Sequence, residues 1–541
     1  MAMVKQYDLL GKGFFPETLP PCFVSLDIKR AMRGITTDLN SRKFHAKRST
    51  NYSRLSGTKH DGNRRSYSTP NPISYFYVCN FIERYWITFQ NRFSTSPFSV
   101  SAPRIGSAKD DRAIIVPSLS ELSGKVDDNI KYSPFILKTD ISQFFHSIYT
   151  HSIPWSAHGI EKAKADQNKK SKKIKFNELD YYVQNTQRAQ TRGVLIGPDA
   201  FRLIAEFISC DIDIKLRDRA DGLIVGAVRH VDDFYIGVRS EIDALSVLSH
   251  LRDVLQSYEL QINDSKTRVL NGLEPVDDVW AQHLRSISIK GLFAASNNDV
   301  FYMIDKAYEL AKSLKTESPI KIAIRRIDKE GFYKSANWAG IEKRLQRIIY
   351  HFPHAIDYVC LVVAKRFAIG EEIDRVGWKE AIYNVLGRAV SLNHHHEVLW
   401  LLWLLITCSI DIEKDVVERC SKMDNSHVRA ILVEAFVVGK ISIRPPISMS
   451  RLETSDEFWL HNLVARANGF TKSPFHGVLK EEFEHLASRN VKLIDFESHL
   501  EEIKKEKVRA ISSSRYGYDS DDEDEDDDED YDPAGFGPID I

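Results

Sequence analysis

Paired cysteines are missing from this chain. The six that are present, Cys22, Cys79, Cys210, Cys360, Cys408 and Cys420, are scattered with no C-x-x-C spacing. That pattern argues against a zinc site or a disulfide framework and for a reducing, cytoplasmic compartment. Long apolar runs are missing too: the densest, residues 398–407, falls well short of the ~20 residues needed to span a bilayer. The opening Met-Ala-Met-Val-Lys is not followed by an apolar signal core. The reading is a soluble chain with no membrane partner. Net charge is nearly absent, at −1, but residues 519–541 hold thirteen acids and neither Lys nor Arg, which leaves the first 518 residues at +12. A basic body with an acidic tail suits a nucleic-acid binder whose tail competes for the same groove. With 541 residues, 43% of them hydrophobic, the chain has ample core for more than one domain.

What is present centres on Val228-Arg229-His230-Val231-Asp232-Asp233-Phe234, with apolar, β-favouring residues on both sides. It reads as a β-hairpin whose turn carries two carboxylates, because Asp tolerates tight backbone bends. Adjacent carboxylates repel, and a divalent cation with oxygen ligands relieves that repulsion. Upstream, Phe135 to Thr139 runs apolar and places Asp140 at a strand end. A strand-end Asp beside an Asp-Asp hairpin suits two Mg²⁺ ions ~4 Å apart around an in-line phosphoryl transfer. Between them lie the glycine turn Gly193 to Pro198 and an amphipathic helix pattern from Ala200 to Ile214. Beyond them Lys266 can reach a polyphosphate. This order of acid, glycine turn plus helix, acid pair and lysine resembles the palm of a reverse transcriptase. Phe145, five residues past Asp140, matches the position under the incoming sugar, where a ring excludes a 2′-hydroxyl and selects deoxynucleotides.

Residues 1–70 mix basic and turn-forming residues and read as a partly ordered arm that can lie on phosphates. Asn71-Pro72 opens a helix expected from Ile73 to Phe93. Residues 94–134 read as irregular apart from a strand at Ala113 to Val116, with Arg112 before it as either a nucleotide-phosphate ligand or a solvated side chain. His146 to Trp155 reads as a packed turn. Lys162 to Lys175, with seven lysines, reads as a solvated loop able to meet a phosphate backbone. From Phe301 to about Ser512 helical periods follow one another: Phe301–Leu314, Ile341–Tyr350, Ala355–Phe367, Trp378–Leu392, Glu397–Thr407, Asp411–Met423, His427–Val438, Glu457–Ala467, Leu479–Ala487 and Phe496–Ile511. Antiparallel helix pairs on this scale suggest an α-solenoid. His394-His395-His396 is read as a loop, since three consecutive residues cannot share one helix face. The tail beyond Ser512 is disordered by composition and carries Tyr516, Tyr518 and Tyr531, whose hydroxyls can prime phosphoryl transfer.

Several of these stretches share a further likeness. Gly13-Phe14-Phe15-Pro16-Glu17-Thr18-Leu19-Pro20-Pro21, Pro70-Asn71-Pro72-Ile73-Ser74-Tyr75, Asp140-Ile141-Ser142-Gln143-Phe144-Phe145, Tyr149-Thr150-His151-Ser152-Ile153-Pro154-Trp155 and Ile196-Gly197-Pro198-Asp199 resemble the abortive-infection reverse transcriptases of bacteria, the AbiK group and its prophage-encoded relatives. The resemblance implies an RNA-directed or template-independent DNA polymerase in phage defence, using dNTPs and two Mg²⁺ ions, with Mn²⁺ as a substitute. It implies single-stranded DNA as product, a non-coding RNA partner in some members, a homo-oligomer such as a trimer or hexamer, and priming by a tyrosine in some members. Carried over, Asp140, Asp232 and Asp233 match the catalytic acids, the Ile141 backbone helps hold a metal, and Lys266 matches the lysine that approaches the triphosphate; Phe145, Gly197 and Arg112 are the further candidates for nucleotide binding. His230-Val231 and Leu195 depart from common reverse-transcriptase residues. The implied fold is α+β: an N-terminal arm and fingers over 1–134, a palm over 135–290, an all-α HEAT-like domain replacing a thumb over 291–512, and an acidic tail over 513–541. The alternatives are a silent RNA-binding scaffold with a palm fold, or a palm-type RNA polymerase or nucleotide cyclase.

Overall fold

The computed structural model describes residues 3–41, 49–107, 110–117, 119–274, 278–289, 297–497 and 500. Residues 3–41 correct the reading of a loose arm. They form helices Gln6–Gly11, Leu26–Arg33 and Thr36–Ser41 that bury Leu9, Leu10, Phe14, Phe15, Phe23, Ile28 and Met32. Apolar residues are common there, but Gly11, Gly13, Pro16, Pro20 and Pro21 break them into pieces too short to declare a helical period. Next comes an antiparallel hairpin of β1 (Ser53–Thr58) and β2 (Arg64–Thr69), paired from Ser53↔Thr69 to Thr58↔Arg64. Asn71 caps the following helix by accepting from the Ile73 amide, and Pro72 occupies its first turn. The single helix expected to Phe93 is two, Pro72–Arg84 and Trp86–Thr95, because Tyr85 leaves helical dihedrals and packs on Phe81 at 4.5 Å between ring centroids.

Residues 94–134 are also more regular than expected. A short antiparallel pair, β3 (Arg104–Ile105) with β4 (Ile114–Ile115), precedes a helix at Leu119–Ile130 that buries Leu122, Val126 and Ile130 at four-residue spacing. That helix leads to the central sheet: β5 (Phe135–Thr139), β6 (Ile224–His230), β7 (Asp233–Val238) and β8 (Arg268–Asn271), in spatial order β6-β7-β5-β8 and antiparallel throughout. Gly226 and Gly237 pair across β6 and β7 where a Cβ would lie 2.0 Å from the Asn129 carbonyl oxygen or the Ser133 hydroxyl. Only glycine permits that closeness. The sheet is backed by the 21-residue helix Asp199–Arg219, most of which is buried.

The C-terminal half is a run of helices: Asn298–Leu314, Ser318–Lys329, Trp338–His351, Ile356–Ala368, Arg375–Ser391, His395–Thr407, Lys414–Ser421, Ser426–Val437, Trp459–Ala467 and Lys480–Ser488. The helix at Ser318–Lys329 was not expected. Its face carries Lys321 and Asp328, buried against Asp357 (3.4 Å) and Lys365 (2.5 Å), and these charges interrupt the apolar period. The region is not all-α, since β9 (Leu452–Glu453) and β10 (Phe475–His476) pair in parallel within it. The histidine triplet is no loop: His394 caps and His395 and His396 open a helix. They diverge, with His395 Nδ1 accepting from the Ser56 amide at 3.2 Å and His396 facing Asp357 at 3.8 Å. The expected helix at Phe496–Ile511 lies largely outside the described residues, as do the acidic tail and Tyr516, Tyr518 and Tyr531.

The helical half grips the β1–β2 hairpin along its length. Glu397, 1% exposed, pairs with Arg64 at 2.5 Å, Asn425 donates to the Arg54 carbonyl at 2.7 Å, and His354 Nδ1 donates to the Thr58 carbonyl at 2.8 Å. His427 bonds Thr69 Oγ1 at 2.8 Å.

Burial holds His427 and His461 neutral, each pushed down to about 3. Unfolded histidine titrates near ~6.5, so below that pH only the unfolded chain takes up these protons, and each site costs stability as pH falls, by ~2 kcal/mol at pH 5. Glu317 runs the other way: burial raises it to about 8, so its contribution is lost as pH rises from the unfolded value of ~4.5 through 8. Chemical denaturation across this range should therefore show wild type losing ground to His461→Gln on acidification and to Glu317→Gln on alkalinisation.

Candidate active site

The β6–β7 hairpin forms where the apolar flanks required it, with His230 paired to Asp233 and a turn of Val231 and Asp232. Asp232 is buried and Asp233 half-buried. Across β7 the ladder runs to Thr139↔Phe234, so continuing the register by one residue sets Asp140 opposite Asp233. The backbone after β5 is fixed by a second set of bonds. The Asn263 amide donates to the Asp140 carbonyl at 3.0 Å, the Ser142 amide donates to the Gln261 carbonyl at 2.9 Å, and Ile141 bridges Ile262. Asp140, the Asp232–Asp233 turn and the 263–267 turn thus share one end of the sheet.

Lys266 reaches back from that last turn and pairs with Asp140 Oδ2 at 3.2 Å. Asp140 is 3% exposed, and burial raises its carboxyl above the usual range against the opposing pull of Lys266. Its other oxygen, Oδ1, is buried and accepts no hydrogen bond. An orphaned buried carboxylate oxygen is costly unless something supplies positive charge. Among the described residues no three His, Cys, Asp or Glu side chains are gathered as a metal-binding group. Hard oxygen donors on this sheet end still fit Mg²⁺, which usually takes one or two carboxylates and completes its shell with water and substrate phosphates.

Phe145 is half-buried, edge-on to Phe144 at 5.4 Å between centroids. Its carbonyl accepts from the Val194 amide at 2.8 Å, and the Ile148 carbonyl accepts from the Gly193 amide at 2.7 Å, so the glycine turn is zipped to the segment after Asp140. Gly197 has φ +119°, and a Cβ there would lie 2.7 Å from Pro16 Cγ.

Arg112 corrects both of its readings. It is neither solvated nor open to a nucleotide: its guanidinium is buried, donating to the Phe15 carbonyl at 2.7 Å and the Gly197 carbonyl at 3.0 Å, and pairing with Asp199 and with Glu17 at 3.1 Å. It fastens the Gly13–Pro16 segment to the glycine turn. The departure at His230 has a packing cause. The ring is buried, donates Nε2–H to the Pro117 carbonyl at 3.2 Å, and is held neutral by burial.

Two features escaped the sequence. Arg229, 0% exposed, lies between Glu206 (2.9 Å) and Asp213 (2.8 Å) of the Asp199–Arg219 helix. Burial works to raise Glu206, but the Arg229 guanidinium holds it below the usual carboxylate range. The signal was available: an arginine inside an apolar strand needs buried counter-charge, and acids seven apart share a helix face. Secondly, Lys59 and Arg65 flank the β1–β2 turn beside His146, whose imidazole is held low by the protein around it and then by those two charges. No local pattern ties residues 59 and 65 to 146.

A four-stranded antiparallel sheet with acids at one end of two neighbouring strands and a buried helix behind it has the form of a palm-type polymerase. Residues 92–315 match the family model described as reverse transcriptase (RNA-dependent DNA polymerase), under half of the chain. The protein therefore carries a reverse transcriptase domain. No curated protein matches the chain. Among solved structures, apo telomerase from Candida tropicalis truncated from its C-terminal domain is 14% identical with a TM-score of 0.29, covering 46% of this chain and 56% of that one. The chain thus spans little more than half of its length. The longer apo telomerase from the same organism is 14% identical, with a TM-score of 0.32, coverage of 68% of this chain and 72% of that one. Telomerase from Candida albicans in complex with the TWJ fragment of telomeric RNA is 12% identical, with a TM-score of 0.29, coverage of 76% and 66%. Likeness at that level carries no argument about substrate or partner.

Because Arg112 is enclosed by two carboxylates and two carbonyls, Arg112→Met should cost ~3–5 kcal/mol by leaving Asp199 buried and unpaired. Denaturant unfolding measures the loss, and a fall below ~1 kcal/mol would mean the guanidinium is not holding the glycine turn.

Proposed function

We propose that the protein is an antiphage-defence reverse transcriptase of the abortive-infection kind, adding dNTPs to a primer or to a protein tyrosine, with an RNA template or without one. The observation that carries the polymerase reading is Asp140: a carboxylate buried at a strand end, with one unsatisfied oxygen, register-matched to the Asp232–Asp233 turn. The match of residues 92–315 to the reverse transcriptase model supports it. The defence assignment rests on the motif runs at Gly13 to Pro21, Asp140 to Phe145 and Tyr149 to Trp155.

In this reading Asp140 and Asp232, with the Ile141 carbonyl, hold two Mg²⁺ ions, and Asp233 assists. When bound, such ions polarise the phosphate and ease both the attacking and the leaving oxygen through an in-line displacement. A primer 3′-hydroxyl or a tyrosyl oxygen attacks the dNTP α-phosphate and pyrophosphate leaves. Lys266 would turn from Asp140 to the triphosphate, which Lys59 and Arg65 would approach from the hairpin. Phe145 closes against the sugar and rejects a 2′-hydroxyl. RNA lies along the basic surfaces, residues 162–175 among them. The C-terminal region serves as a helical-repeat domain in place of a thumb, and the chain assembles as a trimer or hexamer. Among the described residues no helix is long and apolar enough to cross a membrane.

A second reading, an RNA-binding scaffold without catalysis, is favoured by one observation, the Lys266–Asp140 pair that already gives the acid a counter-charge. Purified protein with Mg²⁺ and labelled dNTPs separates the two. Asp232→Asn with Asp233→Asn should remove several kcal/mol of transition-state stabilisation, about three decades of rate, and phage protection with it. Unchanged incorporation by the double variant, or none by wild type, rejects the catalytic reading. Phe145→Ala should raise ribonucleotide use relative to deoxynucleotide use by roughly tenfold or more, measured as the ratio of kcat/KM values.

A further inference from the structure

Val231, which precedes the acid pair, has φ +52°, a left-handed conformation that a β-branched residue rarely adopts. Both polar groups flanking that conformation are held by one buried assembly. The Val231 amide donates to Ser101 Oγ at 2.9 Å, and the Val231 carbonyl accepts from Arg229 Nη1 at 2.6 Å. Ser101 Oγ donates to Glu206 Oε2 at 3.1 Å, and Arg229 Nη1 donates to that same oxygen at 3.1 Å. Asp213 holds the other side of the guanidinium, and Ser96 Oγ donates to Asp213 Oδ2 at 2.6 Å. The segment bearing these serines is laced to β6, since the Arg229 amide donates to the Phe98 carbonyl at 2.7 Å and the Val100 amide to the Arg229 carbonyl at 2.9 Å.

We propose that Ser101, Glu206 and Arg229 form a positioning clamp that keeps Val231 left-handed and thereby fixes where the Asp232 carboxylate stands for a divalent cation. A left-handed residue re-aims the chain after it, so relaxing Val231 to an ordinary conformation would swing the following side chain away. Ser101 and Arg229 offer two rigid, desolvated partners to the two peptide groups that flank Val231, whereas water would offer mobile ones. Glu206 acts through both Ser101 and Arg229, and Asp213 through Arg229. The idea rests on Asp232 being a metal-holding acid, as proposed above.

Removing Arg229 would leave two carboxylates buried and unfold the chain, so the test uses Ser101→Ala, which deletes one acceptor. Mn²⁺ binding to the full-length protein without substrate, followed by electron paramagnetic resonance, should weaken about fivefold, and the Mg²⁺ needed for half-maximal dNTP incorporation should rise in step. KM for dNTP should change far less. Glycine adopts the left-handed conformation without penalty, so in a Val231→Gly background the same Ser101→Ala change should alter Mn²⁺ affinity by less than twofold. A purely structural serine would give the same loss in both backgrounds, and that result, or unchanged Mn²⁺ affinity in Ser101→Ala, overturns the clamp. Asp232→Asn in the same assays keeps the two ideas apart. If it binds Mn²⁺ and incorporates dNTP like wild type, the polymerase reading fails; if it is inactive while Ser101→Ala is normal, only the clamp fails.

Discussion

One buried arginine organises the centre of this molecule. Arg229 sits at the end of a strand, wholly out of water, with Glu206 and Asp213 from the helix behind the sheet on two sides of its guanidinium. Two negative charges and one positive charge are tolerable there only because nearly every donor finds an oxygen at bonding distance. The geometry this enforces is shared by three parts of the chain: the helix Asp199–Arg219, the serine-bearing segment 96–101, and the Val231 peptide in the turn. A core of apolar side chains would fill the same space without fixing the direction of that turn.

The other half of the site is fixed by backbone bonding. Past Thr139 the chain leaves its ladder with β7 and pairs instead with residues 261–263, so Asp140 is held by a carbonyl bond on its own peptide while its carboxylate meets Lys266. An acid and a lysine 126 residues later thus become neighbours through the two edges of one strand. The burial that raises the Asp140 carboxyl leaves it with one oxygen facing no donor, and the sheet end is polar but incompletely neutralised.

The helical half takes part in the same construction. It reaches the N-terminal half chiefly through the β1–β2 hairpin, where Arg64 meets the buried Glu397 and the Arg54 and Thr58 carbonyls accept from Asn425 and His354. The opposite side of that hairpin carries Lys59 and Arg65 near His146. The placement of two basic side chains beside His146 therefore depends on helical segments nearly three hundred residues or more away in sequence.

The acid hairpin, the strand before Asp140, the glycine turn and most of the C-terminal helices were legible because each declares itself in a short window: alternation around Asp232, an apolar run before an acid, Gly193 and Gly197, and periods near 3.6. What local pattern hid was whatever depended on a distant partner. Residues 3–41 looked like an arm because Gly11, Gly13, Pro16, Pro20 and Pro21 break their apolar residues into short pieces. The helix Ser318–Lys329 was masked by charges that only Asp357 and Lys365 make sense of, and Arg112 looked like a ligand until Asp199, Glu17 and two carbonyls enclosed it. By itself the sequence determined the class of chemistry, through residue types whose spacing encodes strand ends and turns. Tertiary structure alone decided which charges are spent inside and which remain for a substrate, because a charge's role is set by what surrounds it across the fold, and windows along the chain carry no record of that.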